Sequence, residues 1–323
     1  MTAGPGLPAI MLVGSPRSGT TWIGSLFDSH PDTLYLHEPD VIVKEPRLPM
    51  VPSAKRPEPP AAVTRAFLAR MAKTRALRSV FMRERFTKAW RGTLANRVRD
   101  GMILAARGLA AALPPLRLDR RISIPDLGGR AAPIVVLKSV DAITRLSAYA
   151  RAAPEVTFLF IIRHPCGVVR SKQRGVAMGK MAEEPLYDDL FALPRTDGVD
   201  PAAARQWPNE RRAAFDWTVR NSWVLDEVAG LPNVHIVDYE KVANDPRAET
   251  ARLFGLTGLP ANAQTDAYLD SLLATERGQG DYFAIGRNPA KAANEWRAGL
   301  PEADKALVAE TVAGSPAGAL FGY

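Results

Sequence analysis

Short apolar runs rich in β-branched and aromatic residues alternate along this chain with longer stretches whose apolar positions recur every three to four residues. The runs at residues 8–13, 33–36, 134–137, 156–162 and 234–237 are bounded by turn-forming residues and read as five strands. Between them the period becomes helical, most regularly over residues 21–29 and 209–229. Strands that alternate with helices predict a parallel sheet joined by crossover helices. One more helix is expected over residues 245–254, where Asp245 followed by Pro246 supplies a start and Gly255 a stop. The last fifty residues, with Gly278, Gly280, Gly286 and Pro289, read as loop-rich. No internal repeat is present.

The first strand runs directly into Gly14-Ser15-Pro16-Arg17-Ser18-Gly19-Thr20-Thr21-Trp22 and then into a helix. Strand, glycine-rich turn and helix together make a phosphate cradle. The glycines let successive N–H groups point inward, and the helix adds the positive end of its dipole. The spacing is that of the nucleotide-binding P-loop, except that its lysine position holds Thr20 and the cation has moved back to Arg17. A kinase or ATPase uses that lysine on the β- and γ-phosphates, so its loss argues against nucleoside triphosphate hydrolysis.

A second element, Phe160-Ile161-Ile162-Arg163-His164-Pro165-Cys166-Gly167-Val168-Val169-Arg170-Ser171, ends a strand on Arg163 and places Ser171 eight residues later. An arginine at a strand end and a serine on the following helix can converge on one phosphate, the arginine bidentate and the serine as hydroxyl donor. The loop from Pro16 to Trp22 resembles the 5′-phosphosulfate loop of the PAPS-dependent sulfotransferases, and the second element resembles that family's 3′-phosphate element. Weaker matches follow in family order at His37-Glu38-Pro39, Lys138-Ser139, Asp238-Tyr239-Glu240, and Lys291 with Trp296-Arg297. The resemblance is closer to the carbohydrate and bacterial branches than to the cytosolic aryl and steroid branch. It leaves residues 44–130 and 177–205 uncovered, and acceptor specificity is expected there.

The resemblance implies a P-loop NTPase-like, three-layer α/β fold with a central parallel sheet of about five strands. It is expected as a single domain over residues 1–323, with a helical basic insertion at about 46–130. It also implies PAPS as donor, PAP as product, and in-line transfer of the sulfuryl group to an acceptor hydroxyl. On this reading Arg17, Ser18, Gly19, Thr20 and Thr21 hold the 5′-phosphosulfate, Trp22 stacks on adenine, and Arg163 with Ser171, Arg287 and Lys291 completes the donor site. Lys138 neutralises charge near the transferring group. In the aryl and steroid branch the base is a histidine two residues after the third-strand lysine; Val140 stands there in this chain. Other branches place a glutamate just after the second strand, which makes Glu38 the expected base and His37 the reserve. Partial burial beside the bound anionic donor is expected to raise the Glu38 carboxyl toward the working range.

Composition narrows the rest. The 323 residues, 46% hydrophobic and 24% charged, are those of a globular protein rather than a disordered or collagen-like one. A lone Cys166 excludes an internal disulfide and multi-cysteine metal sites, the four histidines do not pair at ligand spacing, and no metal is expected. The absence of a disulfide is compatible with a reducing compartment, so the cytoplasm is expected. No signal-type start and no uncharged run near the length of a membrane span are seen. The net charge of +8 is unevenly spread. Residues 44–130 carry 20 Lys or Arg against 6 Asp or Glu, an excess of 14, so the remainder is net acidic. After a proline-rich connector at 46–60, this stretch sets cations among Phe67, Met71, Phe81 and Trp90 at helical spacing. It reads as a lid over an anionic, carbohydrate or lipid-linked acceptor, as a surface for peripheral contact with the inner face of a membrane, or as solvated helix faces. No nucleic-acid-reading motif accompanies it. Three other readings stay open: a non-catalytic PAP- or PAPS-binding protein, a basic membrane-peripheral protein on the same fold, and a P-loop phosphotransferase.

Overall fold

The structure, a computed structural model, describes residues 6–51, 58–80, 85–129, 131–275 and 288–323. Five strands, β1 (Ile10–Gly14), β2 (Thr33–His37), β3 (Ile134–Ser139), β4 (Thr157–Ile162) and β5 (Val234–Asp238), form one parallel sheet in the order β2-β3-β1-β4-β5. All five expected strands are present. Their apolar runs are continuous because both faces of the sheet are covered. In β1, Met11 and Val13 join Leu34, Leu36, Leu137, Phe158 and Phe160 in one core, while Ile10 and Leu12 join Tyr35, Val136, Leu159 and Ile161 in a second.

Helix Thr20–Ser29 covers the second core through Ile23, Leu26 and Phe27, joined by helices Pro246–Thr257 and Ala263–Leu273. Helices Leu146–Ala152, Pro165–Ala177 and Asn209–Val228 cover the first. The basic stretch is helical, as expected, at Ala61–Ala72, Leu77–Val80 and Thr93–Ala112; Phe81 lies outside the described residues. Phe67, Leu68, Met71, Leu77 and Trp90 from this stretch are buried in the same core as the sheet. Many of its cations are spent internally: Arg65 pairs with Glu155, Arg70 with Glu45, Arg75 with Asp126, and the buried Lys88 with Asp28.

Two expectations are corrected. The helix that begins after Asp245, whose carboxylate accepts from the Ala248 N–H, does not stop at Gly255 but runs to Thr257 and closes on Gly258. Gly258, at φ 71°, adopts the left-handed conformation that ends a helix cheaply only at glycine. The C-terminal region is helical, not loop-rich: Pro289–Gly299, Glu302–Val312 and Pro316–Ala319 fill most of residues 288–323. Pro289 and Pro316 open their helices at the first position and Pro301 immediately precedes one, where the missing N–H costs nothing. Gly278, Gly280 and Gly286 lie outside the described residues.

The register aligns the carboxyl ends of the strands, with Gly14 beside Ile161, His37 beside Lys138, and Ile162 beside Asp238. The segments singled out after β1, β2, β3, β4 and β5 leave the sheet along this edge. An open α/β sheet binds its ligands there, where strand order changes direction.

Candidate active site

The turn after β1 has little freedom. A Cβ on Gly14 would lie 2.4 Å from the Ile161 carbonyl oxygen, and one on Gly19, which has φ 86°, would lie 2.1 Å from the Tyr239 ring. Glycine is required at both places by sterics. Ser18 turns inward, its hydroxyl donating to the Ser15 carbonyl at 2.7 Å, and Asn221 braces the turn through the Ser15 hydroxyl at 3.3 Å. Gly19 caps helix Thr20–Ser29 without a side-chain hydrogen bond, and no acidic residue occupies the first turn. The first N–H groups of that helix have no partner within it, which suits them to an anion. Thr20 and Trp22 are buried and Thr21 is half-buried. The Trp22 indole meets Tyr239 edge to face at 5.9 Å, and its buried N–H has no hydrogen-bond partner.

The two phosphate-type motifs meet in space although they stand far apart in the chain. Arg17, at φ 72°, donates from Nε to the Ser171 hydroxyl at 2.9 Å. Arg163 donates to the Arg17 carbonyl at 3.1 Å and to the Ala292 carbonyl at 2.9 Å, and its guanidinium lies 4.7 Å from the centre of the Tyr239 ring. Glu240 stands behind it: one oxygen accepts from the His164 N–H at 3.1 Å, and the other lies 3.8 Å from Arg163 Nε without a hydrogen bond. Burial pushes the Glu240 carboxyl up to about 7, against the pull of Arg163 and the His164 N–H. Helix Pro289–Gly299 closes this end through the Arg163–Ala292 contact and through Trp296, which stacks on His164 at 4.1 Å. Lys291 is exposed in its first turn, and Arg287 lies outside the described residues.

Toward the β2 edge a second cluster forms around Glu38. Its backbone is held by a 2.7 Å hydrogen bond from its N–H to the Lys138 carbonyl and takes the left-handed φ of 45°. That conformation costs a non-glycine residue on the order of 1 kcal/mol and persists only where its surroundings impose it. Lys138, only 2% exposed, donates to the Glu38 carboxylate at 2.6 Å. His37 Nε2 lies 3.7 Å from the same oxygen, and Arg78 of the basic stretch reaches the other at 4.0 Å while also facing Asp119 at 3.7 Å.

The groups around Glu38 by themselves shift its carboxyl downward. Burial alone would raise its carboxyl, but Lys138, His37 and Arg78 together bring it below the ordinary glutamate value. Burial, aided by Lys138, lowers His37 to about 4, so its imidazole is neutral near pH 7. Ser139, next along β3, bonds to the buried Asp40 and accepts from the Ala142 N–H at 3.0 Å, which fixes the turn behind Lys138.

The sequence model of the Sulfotransferase family matches residues 8–263, about four-fifths of the chain. This chain is a member of the Sulfotransferase family. Human carbohydrate sulfotransferase 6 is 24% identical to it across 97% of this chain and 82% of that protein. Among solved structures, similarity extends to the sulfotransferase domain from the curacin biosynthetic pathway, at 14% identity and a TM-score of 0.46 over 95% of this chain and 97% of that one. It extends also to mouse sulfotransferase SULT7A1 complexed with PAP, at 12% identity and a TM-score of 0.39 over 97% and 87%.

As a sulfotransferase, the protein is an enzyme that moves a sulfuryl group, and its P-loop-like α/β fold brings two charged clusters to one edge of the sheet. Two participants, and the role of a third, escaped sequence reasoning. Asn221 is one polar residue inside a long amphipathic helix, and nothing in the pattern marks it. Arg78 is one of twenty cations in its stretch, and only packing selects it. Glu240 was visible within Asp238-Tyr239-Glu240, but its role behind Arg163 depends on how β4 pairs with β5.

Proposed function

We propose that this sulfotransferase uses PAPS as donor and sulfates a hydroxyl of a carbohydrate or lipid-linked acceptor, with Glu38 as general base. The observation that carries the reading is the convergence of Arg17, Ser171 and Arg163 beside a glycine-shaped turn, with Glu38 and Lys138 along the same sheet edge. The donor site fits its ligand on physical grounds. Two glycines let the turn pack tightly against Ile161 and Tyr239, the helix start offers N–H groups with no partner within the helix, and Arg163 and Trp22 each keep a buried N–H unsatisfied.

In this assignment Arg17, Ser18, Gly19, Thr20 and Thr21 hold the 5′-phosphosulfate. Arg163 and Ser171 hold the 3′-phosphate, Lys291 and Arg287 complete the donor site, and Trp22 flanks the adenine. The acceptor oxygen gives its proton to Glu38 and forms the new bond to sulfur as the bond from sulfur to the phosphate oxygen of PAP breaks. Lys138 serves both ends of that change. Paired with Glu38 it keeps the carboxylate ionised and able to accept a proton. Turned to the departing oxygen it stabilises the developing charge and leaves burial, the largest influence on Glu38, to raise the basicity of the carboxylate. Neutral His37 is the reserve base. Human carbohydrate sulfotransferase 6 supports a sugar hydroxyl as the acceptor class.

The test is incubation with sulfur-labelled PAPS and a panel of free, polymeric and lipid-linked saccharides. The expected result is labelled product and PAP in equal amounts, released only when an acceptor is present. PAP binding with no acceptor-dependent release across the panel would contradict the reading.

A further inference from the structure

Helix Thr93–Ala112 is built the wrong way round for a solvated surface. Its inward face holds Asn96, Arg99, Ile103 and Ala106, with Arg99 only 6% exposed, while Leu94, at 75% exposed, looks outward with Val98, Leu104 and Leu109. At about 100° per residue, Leu94, Val98, Ala105, Leu109 and Ala112 fall within one arc of about 60°, opposite the buried row. Exposed Leu113 and Leu116 follow directly in the chain. Of the thirteen large apolar side chains exposed among the described residues, six lie between Leu94 and Leu116. That clustering is more than the scatter of single surface leucines a soluble protein carries.

Charge decides what covers this face. Arg97, beside this face, and Arg117, Arg120 and Arg121, which follow the helix, are all exposed, whereas the acidic residues of the same segment, Asp100 and Asp119, are half-buried and Asp119 faces Arg78. Two copies of the chain meeting here would bring arginine against arginine. An anionic bilayer instead offers phosphates to the arginines and an apolar boundary to the leucines. No helix among the described residues is long and apolar enough to cross a membrane.

We infer that helix Thr93–Ala112, with the segment through Arg121, docks on an anionic lipid surface, lying in the plane of the interface. The inference stands on this face and its charges and does not depend on the reaction proposed above. One ion-pair chain joins the docked segment to the acceptor side, since Arg78 meets both Asp119 and Glu38.

The test is flotation of the full chain with vesicles of phosphatidylglycerol and phosphatidylcholine, against phosphatidylcholine alone. It uses the wild type, the variant L94Q/V98Q/L109Q and the variant R97E/R120E/R121E, each first shown by circular dichroism to melt as the wild type does. The wild type is expected to float with the anionic vesicles only. The arginine variant should lose binding by on the order of a hundredfold, at about 1 kcal/mol for each cation near the surface, and the leucine variant should also lose it. No flotation of the wild type overturns the inference, as does equal flotation on neutral vesicles. Flotation that survives the leucine changes reduces the contact to bulk charge and also overturns it. A concentration-dependent dimer in sedimentation velocity, abolished by the leucine variant while flotation is absent, would assign the face to a second copy instead.

Discussion

Glu38 and Glu240 are two half-buried glutamates at the carboxyl edge of one sheet, each beside a basic side chain, yet their protons are held in opposite senses. At Glu240 the nearest Arg163 nitrogen is 3.8 Å away and makes no hydrogen bond to it, so burial prevails and the carboxyl rises to about 7. At Glu38 the Lys138 ammonium sits at 2.6 Å with Arg78 and the His37 ring nearby, and together they prevail over burial. Burial of a carboxylate does not by itself set its acidity. The distance and hydrogen bonding of the cation set the sign, and here they divide the Arg163 end of the edge, where the carboxyl is raised, from the Lys138 end, where it is lowered.

The comparison can be broken at either end. The largest effect is expected from Glu38→Gln, which should lower kcat by roughly a hundredfold to ten-thousandfold, the usual worth of a positioned base. PAP affinity should stay unchanged. Equal loss of PAP binding would move Glu38 to the donor end. Arg163→Ala should do the reverse, weakening PAP by roughly 2–4 kcal/mol in calorimetry, since truncating one partner of a buried charge contact costs about that much.

Glu240→Gln sharpens the contrast through pH. Because folding raises the Glu240 carboxyl from 4.5 to about 7, its contribution to stability is present in full below 4.5 and is lost as pH rises through about 7. Denaturant titrations should show the variant without that slope, a difference of up to roughly 3 kcal/mol. Glu38 runs the other way: its contribution is present above the ordinary glutamate value and is lost as pH falls through its lowered one. The smallest effect belongs to Arg78→Ala. At 4.0 Å and partly solvated, Arg78 should change kcat less than about threefold and move the acid limb of the rate profile slightly upward.

The strands and both phosphate-type motifs were legible because they are local: a run of apolar residues, a glycine where a Cβ would strike Tyr239, an arginine at a strand end. The C-terminal helices were hidden by their own prolines. A proline at a helix start and a proline in a loop look alike until the following turn is known to pack, as it does at Ala293 and Val308. The downward shift of Glu38 was illegible for a different reason. His37 is its neighbour in the chain, but Lys138, the strongest of the groups that lower it, and Arg78 come from residues far along the chain. In Thr93–Ala112 the helical period does not say which face turns inward; that is decided by buried Arg99, which lies among Asp28, Asp100 and Asp126, two of them from other segments.

The central claim is that the turn around Arg17 holds the donor. It is tested most directly by isothermal titration of the wild type and Arg17→Ala with PAP and, separately, with ATP and magnesium. The account predicts micromolar or tighter PAP binding that falls in the variant, with no ATP binding by either protein; ATP binding by the wild type, or PAP affinity indifferent to Arg17, would contradict it.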